Sequence, residues 1–467
     1  MSKKFRSLLK DKNFVALALV FIFGTGLGLL LRILWIANVP TVQVFDFATF
    51  METATNISEG RGHSMDGQAV AWVGPGYSYA LAFAFRLFGA GIWTAKVFNV
   101  WLSTLTLAGT FFLYVKWLSR EVPDKRGVLR AKPIIPAIGA AYFLTAVFPN
   151  LIAYNNVAGT ESFFLFLLVC ILLLQAYPLP KKWIIINFML MGFAIGLAAL
   201  TKPFMLAYPV VAVAMEWVSR KKFKQCIVCA VAVPLCCAAA VAPWAYRNYR
   251  MFDRFIPVSY NMGYNRQVNN NEHNISGSWM PLEDTKMSGQ TRIRMEESLA
   301  GGRSVKQAYE LEPYLSKEAG EWIRGNMPAF LELGVLRVYK TFFYGASDLD
   351  DWTMNDWEYE YGGPDEYSDM RHTAFAGGLF SIMVNTVSAA GLLFFFMYIK
   401  NFVFALNKKI SVLTDARNAV FLNIAFFLTV VFAFEGQPRY NHPALIFLIC
   451  AAVWICEKLL RPNAYGS

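Results

Sequence analysis

Apolar runs long enough to cross a lipid bilayer recur from one end of this chain to the other, separated by short segments rich in lysine and arginine. About 20 apolar residues in a helix cross about 30 Å of hydrocarbon, so each run predicts a membrane span. Inside lipid no water pairs with the peptide groups, and only a helix or a closed barrel satisfies all of its own N–H and C=O groups. A barrel would need alternating strands of roughly ten residues, and these runs do not alternate. The expected fold class is therefore an all-α polytopic membrane protein of about ten transmembrane helices, with interfacial helices in long outer loops. Composition agrees: 56% of the residues are hydrophobic and 16% are charged, against about 25% charged in soluble domains.

The net charge of +11 would suggest nucleic-acid binding in a soluble protein. Here the bases lie between spans, as in cytoplasmic loops, so no nucleic-acid partner is expected. Ser2–Lys12 is basic and predicts a cytoplasmic N-terminus. The apolar stretch from Phe14 to Ile36 exceeds a signal-peptide core and lacks a small-residue cleavage site, so it predicts a retained first span. The first outer loop, 37–91, carries Asp46, Glu52, Glu59 and Asp66. Within it Gly76–Gly89 is apolar but short and contains Arg86. A full span there would put the basic stretch Lys116–Lys132 outside, so an interfacial helix is expected.

Spans over 92–115, 133–149, 162–178, 183–200, 204–218 and 225–245 follow. They turn inside at Lys116–Lys132, Lys181–Lys182 and Arg220–Lys224, and outside at Asn150–Thr160 and Thr201–Pro203. The polar stretch from Arg247 to Ala329 predicts an outer loop or small outer domain. Phe330–Tyr344 reads as a second interfacial helix, and Asp348–Asp369 as an acidic, aromatic segment. Spans over 374–399, 416–434 and 443–458 close the chain, leaving Lys400, Lys408, Lys409, Lys458 and Arg461 inside with a cytoplasmic C-terminus. The chain thus divides into a catalytic membrane module (1–245), an outer loop region (246–373) and C-terminal transmembrane helices (374–467). All 7 cysteines sit in apolar runs. They read as packing residues rather than a disulfide framework or a metal site.

Charges at the outer ends of spans are the informative ones, because a charge in the apolar layer costs at least about 2.5 kcal/mol. They are Arg32, Asp46, Glu161, Lys202, Arg247, Glu435 and Arg439. Cations can clamp a phosphate and stabilise it as it leaves, and a carboxylate can take a proton from an attacking hydroxyl. Each residue also has a plainer reading. Arg32 could snorkel to the interface, Asp46 could be a solvated acid, Glu161 could complement a helix N-terminus, and Lys202 could anchor an interface. With only 4 histidines, a His-rich metal site is not expected. No metal ligand and no certain cofactor is assigned. Asp348, Asp350 and Asp351 leave a divalent metal open, against a solvated acidic loop. Asn56-Ile57-Ser58 and Asn274-Ile275-Ser276 match glycosylation sequons, which carry no meaning in a bacterium.

Several motifs in order resemble a known family. They are Phe45-Asp46-Phe47 after span 1, Gly74-Pro75-Gly76-Tyr77, Ala158-Gly159-Thr160-Glu161, and Gly196 through Pro203. Ala242-Pro243-Trp244-Ala245-Tyr246-Arg247-Asn248-Tyr249 and Glu435-Gly436-Gln437-Pro438-Arg439-Tyr440 complete the set. Over nearly the whole chain they resemble the C-type glycosyltransferases of the protein O-mannosyltransferase and lipid A aminoarabinose transferase branch. The resemblance implies an active site built from the first outer loop, short juxtamembrane helices and seven N-terminal spans, with a polyprenyl-phosphate sugar as donor and inversion at the anomeric carbon. It makes Asp46 the catalytic base and Glu161 a second catalytic-site acid. It makes Lys202, Arg247 and Arg439 the donor phosphate-binding residues. Arg32, Asn270, Trp279 and Glu435 become possible substrate contacts, the loop Asn269–Asn274 with Trp279 resembling a sugar-contacting loop. Many mannosyltransferases of the family carry Asp-Glu where Phe47 follows Asp46 here.

The expected function is a membrane glycosyltransferase with an active site on the outer face of a bacterial cytoplasmic membrane. Its partners would be a polyprenyl-phosphate sugar lipid (undecaprenyl phosphate), a glycan, lipid or protein acceptor, and the membrane lipids. The rivals are a lipid-linked glycan flippase or transporter, an O-antigen-type polymerase or ligase, and a non-catalytic scaffold. A flippase explains spans with charges but not the long outer loops, and no paired broken helices are evident in the two halves.

Overall fold

The structure, a computed structural model, describes residues 11–123, 129–220, 222–354, 370–407 and 412–460. The basic residues before 11, those at 124–128, Lys408, Lys409 and Arg461, and most of the acidic segment 348–369, lie outside the described residues.

The first helix, α1 (Lys12–Asn38), starts where the Asp11 side chain accepts from the amides of Asn13 and Phe14 at 2.9 and 3.4 Å. Such a cap satisfies N–H groups that a helix start leaves open. The first loop holds α2 (Phe45–Ser58), a two-stranded hairpin of β1 (Ser64–Met65) and β2 (Gln68–Ala69), and α3 (Pro75–Phe88). Then α4 (Ile92–Trp117) returns to a second hairpin, β3 (Ser119–Pro123) with β4 (Leu129–Pro133), at the other end of the bundle. Next come α5 (Ile135–Val147), α6 (Pro149–Ala153), α7 (Glu161–Ala176), α8 (Ile184–Thr201), α9 (Tyr208–Arg220) and α10 (Phe223–Phe252).

A loop layer follows: α11 (Met262–Asn269), α12 (Gly289–Leu299), α13 (Glu312–Gly325), α14 (Met327–Phe343) and α15 (Ser347–Thr353). The chain ends in α16 (Met370–Asn407), α17 (Val412–Ala433) and α18 (Leu445–Leu460). Both short apolar stretches expected as interfacial helices are helices, α3 and α14.

Among the described residues, seven helices are long and apolar enough to cross a membrane, and the bent pair Ile135–Val147 with Pro149–Asn156, counted as one span, makes an eighth. The shorter apolar helices Glu161–Ala176 and Pro203–Val218 occupy the remaining two expected places. Sixteen helical residues extend only about 24 Å, short of the roughly 30 Å of hydrocarbon. The count by length is therefore lower than the sequence suggests.

The expected outer turn Asn150–Thr160 takes a different form. Pro149 lacks an N–H and breaks the ladder, and the chain bends by 52° into a further helical piece. Asn150, Asn155 and Asn156 in it are all fully buried. Asn156 donates to the carbonyls of Val39 at 2.8 Å and Thr353 at 3.1 Å, which ties the end of α1 to α15.

The α10 helix also runs well past its expected end at 245. It keeps Pro234 and Pro243 inside it, a pattern tolerated in membrane helices where neighbours satisfy the freed groups. Its partner α8 comes close through small residues. A Cβ at Gly192 would lie 2.4 Å from the Val233 carbonyl, and one at Gly196 2.5 Å from the Ala240 methyl. Close backbone approach through glycine is how helices pack in lipid, where apolar attraction between them is weak.

Candidate active site

One end of the bundle gathers the loops 39–91, 148–160, 201–203 and 434–444 beneath the layer formed by 253–354. Gly74 and Gly76 set the contact between the first loop and α8. A Cβ at Gly74 would meet the Leu200 carbonyl at 2.3 Å, and one at Gly76 the Thr201 hydroxyl at 2.4 Å. The first loop thus lies against the segment that carries Lys202.

Asp46 sits in the first turn of α2, just after Phe45, whose φ is +50°. Few non-glycine residues adopt this left-handed region. Both flanking rings meet Trp352 edge-on, Phe45 at 5.7 Å and Phe47 at 5.8 Å between centroids. Phe47 is buried, whereas the Asp46 side chain keeps 38% of its exposure. The carboxylate therefore projects from a pinned turn and stays accessible to solvent on one side. Nη2 of Arg439 lies 3.4 Å from its Oδ2. The Arg439 guanidinium lies over the rings of Trp352 and Tyr440, at 5.2 and 5.3 Å.

Glu161 opens α7, and its Oε1 pairs with Nζ of Lys202 at 3.2 Å. Its Oε2 is buried without a hydrogen-bond partner. The preceding Gly159 is the hinge of this arrangement. A Cβ there would fall 2.5 Å from the Glu161 carboxylate and 2.8 Å from the Phe47 ring. Hence the Glu161 and Asp46 elements touch through a residue that tolerates no side chain. Lys202 in turn lies 6.0 Å from the centre of the Tyr440 ring.

The Tyr440 hydroxyl donates to Glu435 at 3.0 Å, and the Gln437 amide donates to the other Glu435 oxygen. Burial pushes the Glu435 carboxyl above its ordinary range, with Arg439 opposing. Farther out, the Trp279 indole N–H donates to the Tyr264 hydroxyl at 3.1 Å. Tyr264 packs on Trp72 at 4.9 Å.

Asp46, Glu161, Lys202, Glu435 and Arg439 thus form one connected group. The other sequence candidates lie apart from it. Arg32 does not snorkel: it is 1% exposed, and it donates to Ser103 at 2.7 Å and to the carbonyls of Gly28 and Ala146 at 2.9 and 3.3 Å. With Ser103, Thr106, Ser162, His442 and the apolar Leu107 and Ile446 it lines a small cavity inside the bundle.

Arg247 stands on the far side of the first loop. It donates to the carbonyls of Val70 at 3.0 Å and His63 at 2.9 Å, and stacks on Trp244 at 4.6 Å. Asn270 is buried, and its side-chain oxygen accepts from Arg337 at 2.9 Å. Trp279 is 45% exposed and bonds the Tyr264 hydroxyl rather than a charged residue of the group.

Asp348 is not a solvated acid. It is 1% exposed and accepts from the Tyr154 hydroxyl at 2.7 Å and from Asn150 at 3.2 Å. Among the described residues, no cluster of three or more His, Cys, Asp or Glu side chains is placed to hold a metal ion.

Trp352, Tyr440, Tyr154 and Tyr264 belong to the site and were not singled out in the sequence. Aromatic residues are common in this chain; Trp352 and Tyr440 stand in charged stretches, whereas Tyr154 and Tyr264 do not.

This architecture defines an integral membrane protein with a charged, aromatic-walled site at one end of its helical bundle. No protein-family model and no curated protein matches the sequence. Solved structures do match. One is the archaeal oligosaccharyltransferase of Archaeoglobus fulgidus in complex with an inhibitory peptide and a dolichol-phosphate: TM-score 0.50 and 14% identity, over 98% of this chain and 53% of that one. The same enzyme tethered to an acceptor peptide containing an NVT sequon matches with TM-score 0.51 and 13% identity, over 97% and 52%. The chain spans about half the length of these proteins. ArnT of Cupriavidus metallidurans bound to undecaprenyl phosphate aligns at TM-score 0.45 and 12% identity, over 94% and 79%. The oligosaccharyltransferase likeness gives this chain the C-type glycosyltransferase fold.

Proposed function

We propose that the protein is a membrane glycosyltransferase that moves a sugar from a polyprenyl-phosphate lipid to a hydroxyl of a glycan, lipid or protein acceptor. In a bacterium the carrier would be undecaprenyl phosphate. The site would face outward from the cytoplasmic membrane, with both termini inside, as the basic segments between spans indicate.

The observation that carries this reading is the pairing of a partly exposed Asp46 with Arg439 at 3.4 Å, beside the buried Glu161–Lys202 pair. Asp46 would take the proton of the acceptor hydroxyl. The hydroxyl oxygen would form its bond to the anomeric carbon as the bond from that carbon to the phosphate oxygen breaks, inverting the centre in a single displacement. The electron pair would leave on the phosphate, whose charge Arg439 and Lys202 are placed to meet. Glu161 would hold Lys202 in position, and the aromatic faces would line the sugar.

Purified protein in lipid should release polyprenyl phosphate from monophosphate-linked sugars and not from pyrophosphate-linked ones. Asp46→Asn should lower that rate on the order of 10²–10⁴-fold, the usual share of a general base, with the thermal midpoint unchanged. Near-normal transfer in this variant would remove Asp46 from the chemistry. Substrate translocation without bond cleavage would replace the reading with a flippase. Activity with and without EDTA separates a clamp of side chains from one that includes a divalent cation.

A further inference from the structure

The turn that presents Asp46 is strained, and its support comes from a distant part of the chain. Among the described residues, three non-glycine residues have positive φ: Phe45, Asp66 and Asp253. Phe45 immediately precedes Asp46, and Asp66 closes the hairpin of the same loop. Strained backbone persists only where its surroundings impose it, and it gathers at functional sites.

Besides the Trp352 ring and the Thr49 hydroxyl, which donates to the Phe45 carbonyl at 3.1 Å, the group that holds this turn is Lys306. Its Nζ donates to the Phe45 carbonyl at 3.3 Å and to the Thr49 hydroxyl at 2.7 Å. One ammonium thus grips the first turn of α2 on both sides of Asp46. Lys306 is itself held in a short helical turn, Val305–Gln307. There Gln307 accepts from the Ser304 amide at 3.0 Å, which closes the turn, and donates to Asp66 at 3.2 Å. The Tyr260 hydroxyl donates to the Lys306 carbonyl at 2.7 Å, and the Tyr260 amide donates to Ala71 in the first loop at 3.0 Å. One four-residue segment of the loop layer therefore meets both strained residues of the first loop.

We propose that Lys306 is a positioning residue for Asp46: it holds the left-handed turn at Phe45 so that the Asp46 carboxylate points at Arg439 rather than into solvent. This rests on the glycosyltransferase reading. It adds that the 253–326 layer takes part in catalysis without touching substrate, since a small misplacement of a reacting group costs much of the rate.

The test uses the full-length protein in lipid, with Lys306→Met and Lys306→Arg. Two quantities are measured: amide hydrogen exchange over residues 47–50, and kcat and KM for a polyprenyl-phosphate sugar. Lys306→Met should raise exchange at least tenfold and lower kcat at least tenfold, with KM within twofold. Lys306→Arg should recover a large part of both. Exchange within twofold of the wild type overturns the proposal, and so does faster exchange with an unchanged kcat. A raised KM at constant kcat would instead make Lys306 a substrate ligand, which also overturns it. If Lys306→Met does not fold, Lys306→Gln, which removes the ammonium and keeps a polar side chain, must show the same changes in smaller degree. If the wild type transfers no sugar from any lipid carrier, the function reading fails, and the exchange result still decides whether Lys306 holds the turn.

Discussion

Arg337 and Arg439 lie on neighbouring elements and are both nearly sealed from solvent, yet their surroundings differ in kind. Arg337 is fully buried and donates to neutral oxygens: the Asn269 carbonyl at 2.7 Å, the Asn270 side chain at 2.9 Å and the Phe432 carbonyl at 3.1 Å. Gly277 and Gly436 press against its helix, where a Cβ would come within 3.0 Å of the Leu333 carbonyl and 2.5 Å of the Arg337 Cα. This guanidinium joins the sugar-loop candidate Asn269–Asn274 to the end of α17. Arg439 instead holds a carboxylate at 3.4 Å and rests on two aromatic faces. A guanidinium sealed from solvent, with both terminal nitrogens held by neutral oxygens, is out of reach of an anion. One held by a single long ion pair can turn its planar fork to a phosphate. Arg32 and Arg247 fall on the Arg337 side of this division, and Lys202 on the Arg439 side.

The largest separation is expected between the two residues just compared. Arg439→Met should lower sugar transfer on the order of 10²–10³-fold, the usual effect of removing one donor to a developing charge. Its thermal midpoint should fall little, because Asp46 remains open to water. Initial rates and calorimetry on the same preparation test this. An unfolded Arg439→Met would erase the distinction. Arg337→Met should do the reverse and cost about 3 kcal/mol, because its three acceptors lose their donors in a dry environment. Each folded molecule should keep transfer within a few-fold.

Arg247→Met is expected to follow Arg337 in smaller degree, at about 1–2 kcal/mol for the two carbonyls it serves. Donor affinity should stay within twofold by titration with a polyprenyl-phosphate sugar. A tenfold weaker donor at unchanged stability would put Arg247 among the phosphate ligands after all.

The division among these cations was only half legible in the sequence. Apolar runs and basic punctuation located the helices, because hydropathy acts residue by residue along the chain. Charges at span ends marked Asp46, Glu161, Lys202, Glu435 and Arg439 for the same reason: an ionised group near lipid is rare and conspicuous. What satisfies a cation is another matter. Arg247 and Arg439 look alike in sequence, each beside an aromatic residue at a span end. Only the packed chain shows that Val70 and His63 supply carbonyls to the first and Asp46 a carboxylate to the second. Arg337 was passed over as part of an interfacial helix, since its partners lie 67 to 95 residues away. Asp348 misled in the opposite sense. It stands in an acidic run, yet Tyr154 and Asn150 bury it by way of the bend at Pro149, which no local pattern announces.

The contrast between charged and neutral partners extends to a carboxylate, and there pH measures it. Glu312 opens α13 and accepts from the amides of Gly263 and Tyr264 at the start of α11, the helix that carries the Tyr264 ring toward Trp72. Burial raises its pKa from the ordinary 4.5 to about 7, against the two amides and Arg266, which favour the charged form. The folded protein therefore holds this proton more tightly than the unfolded chain does. The stability it contributes is full below about 4.5, the unfolded value, and is lost as pH rises through about 7. The thermal midpoint should accordingly fall between pH 5 and pH 8. Glu312→Gln, which keeps an acceptor oxygen without a charge, should flatten that slope by the Glu312 share. A slope of the same size in the variant would show that Glu312 is charged and satisfied in the folded protein, and that its neutral amide partners suffice to hold a charge.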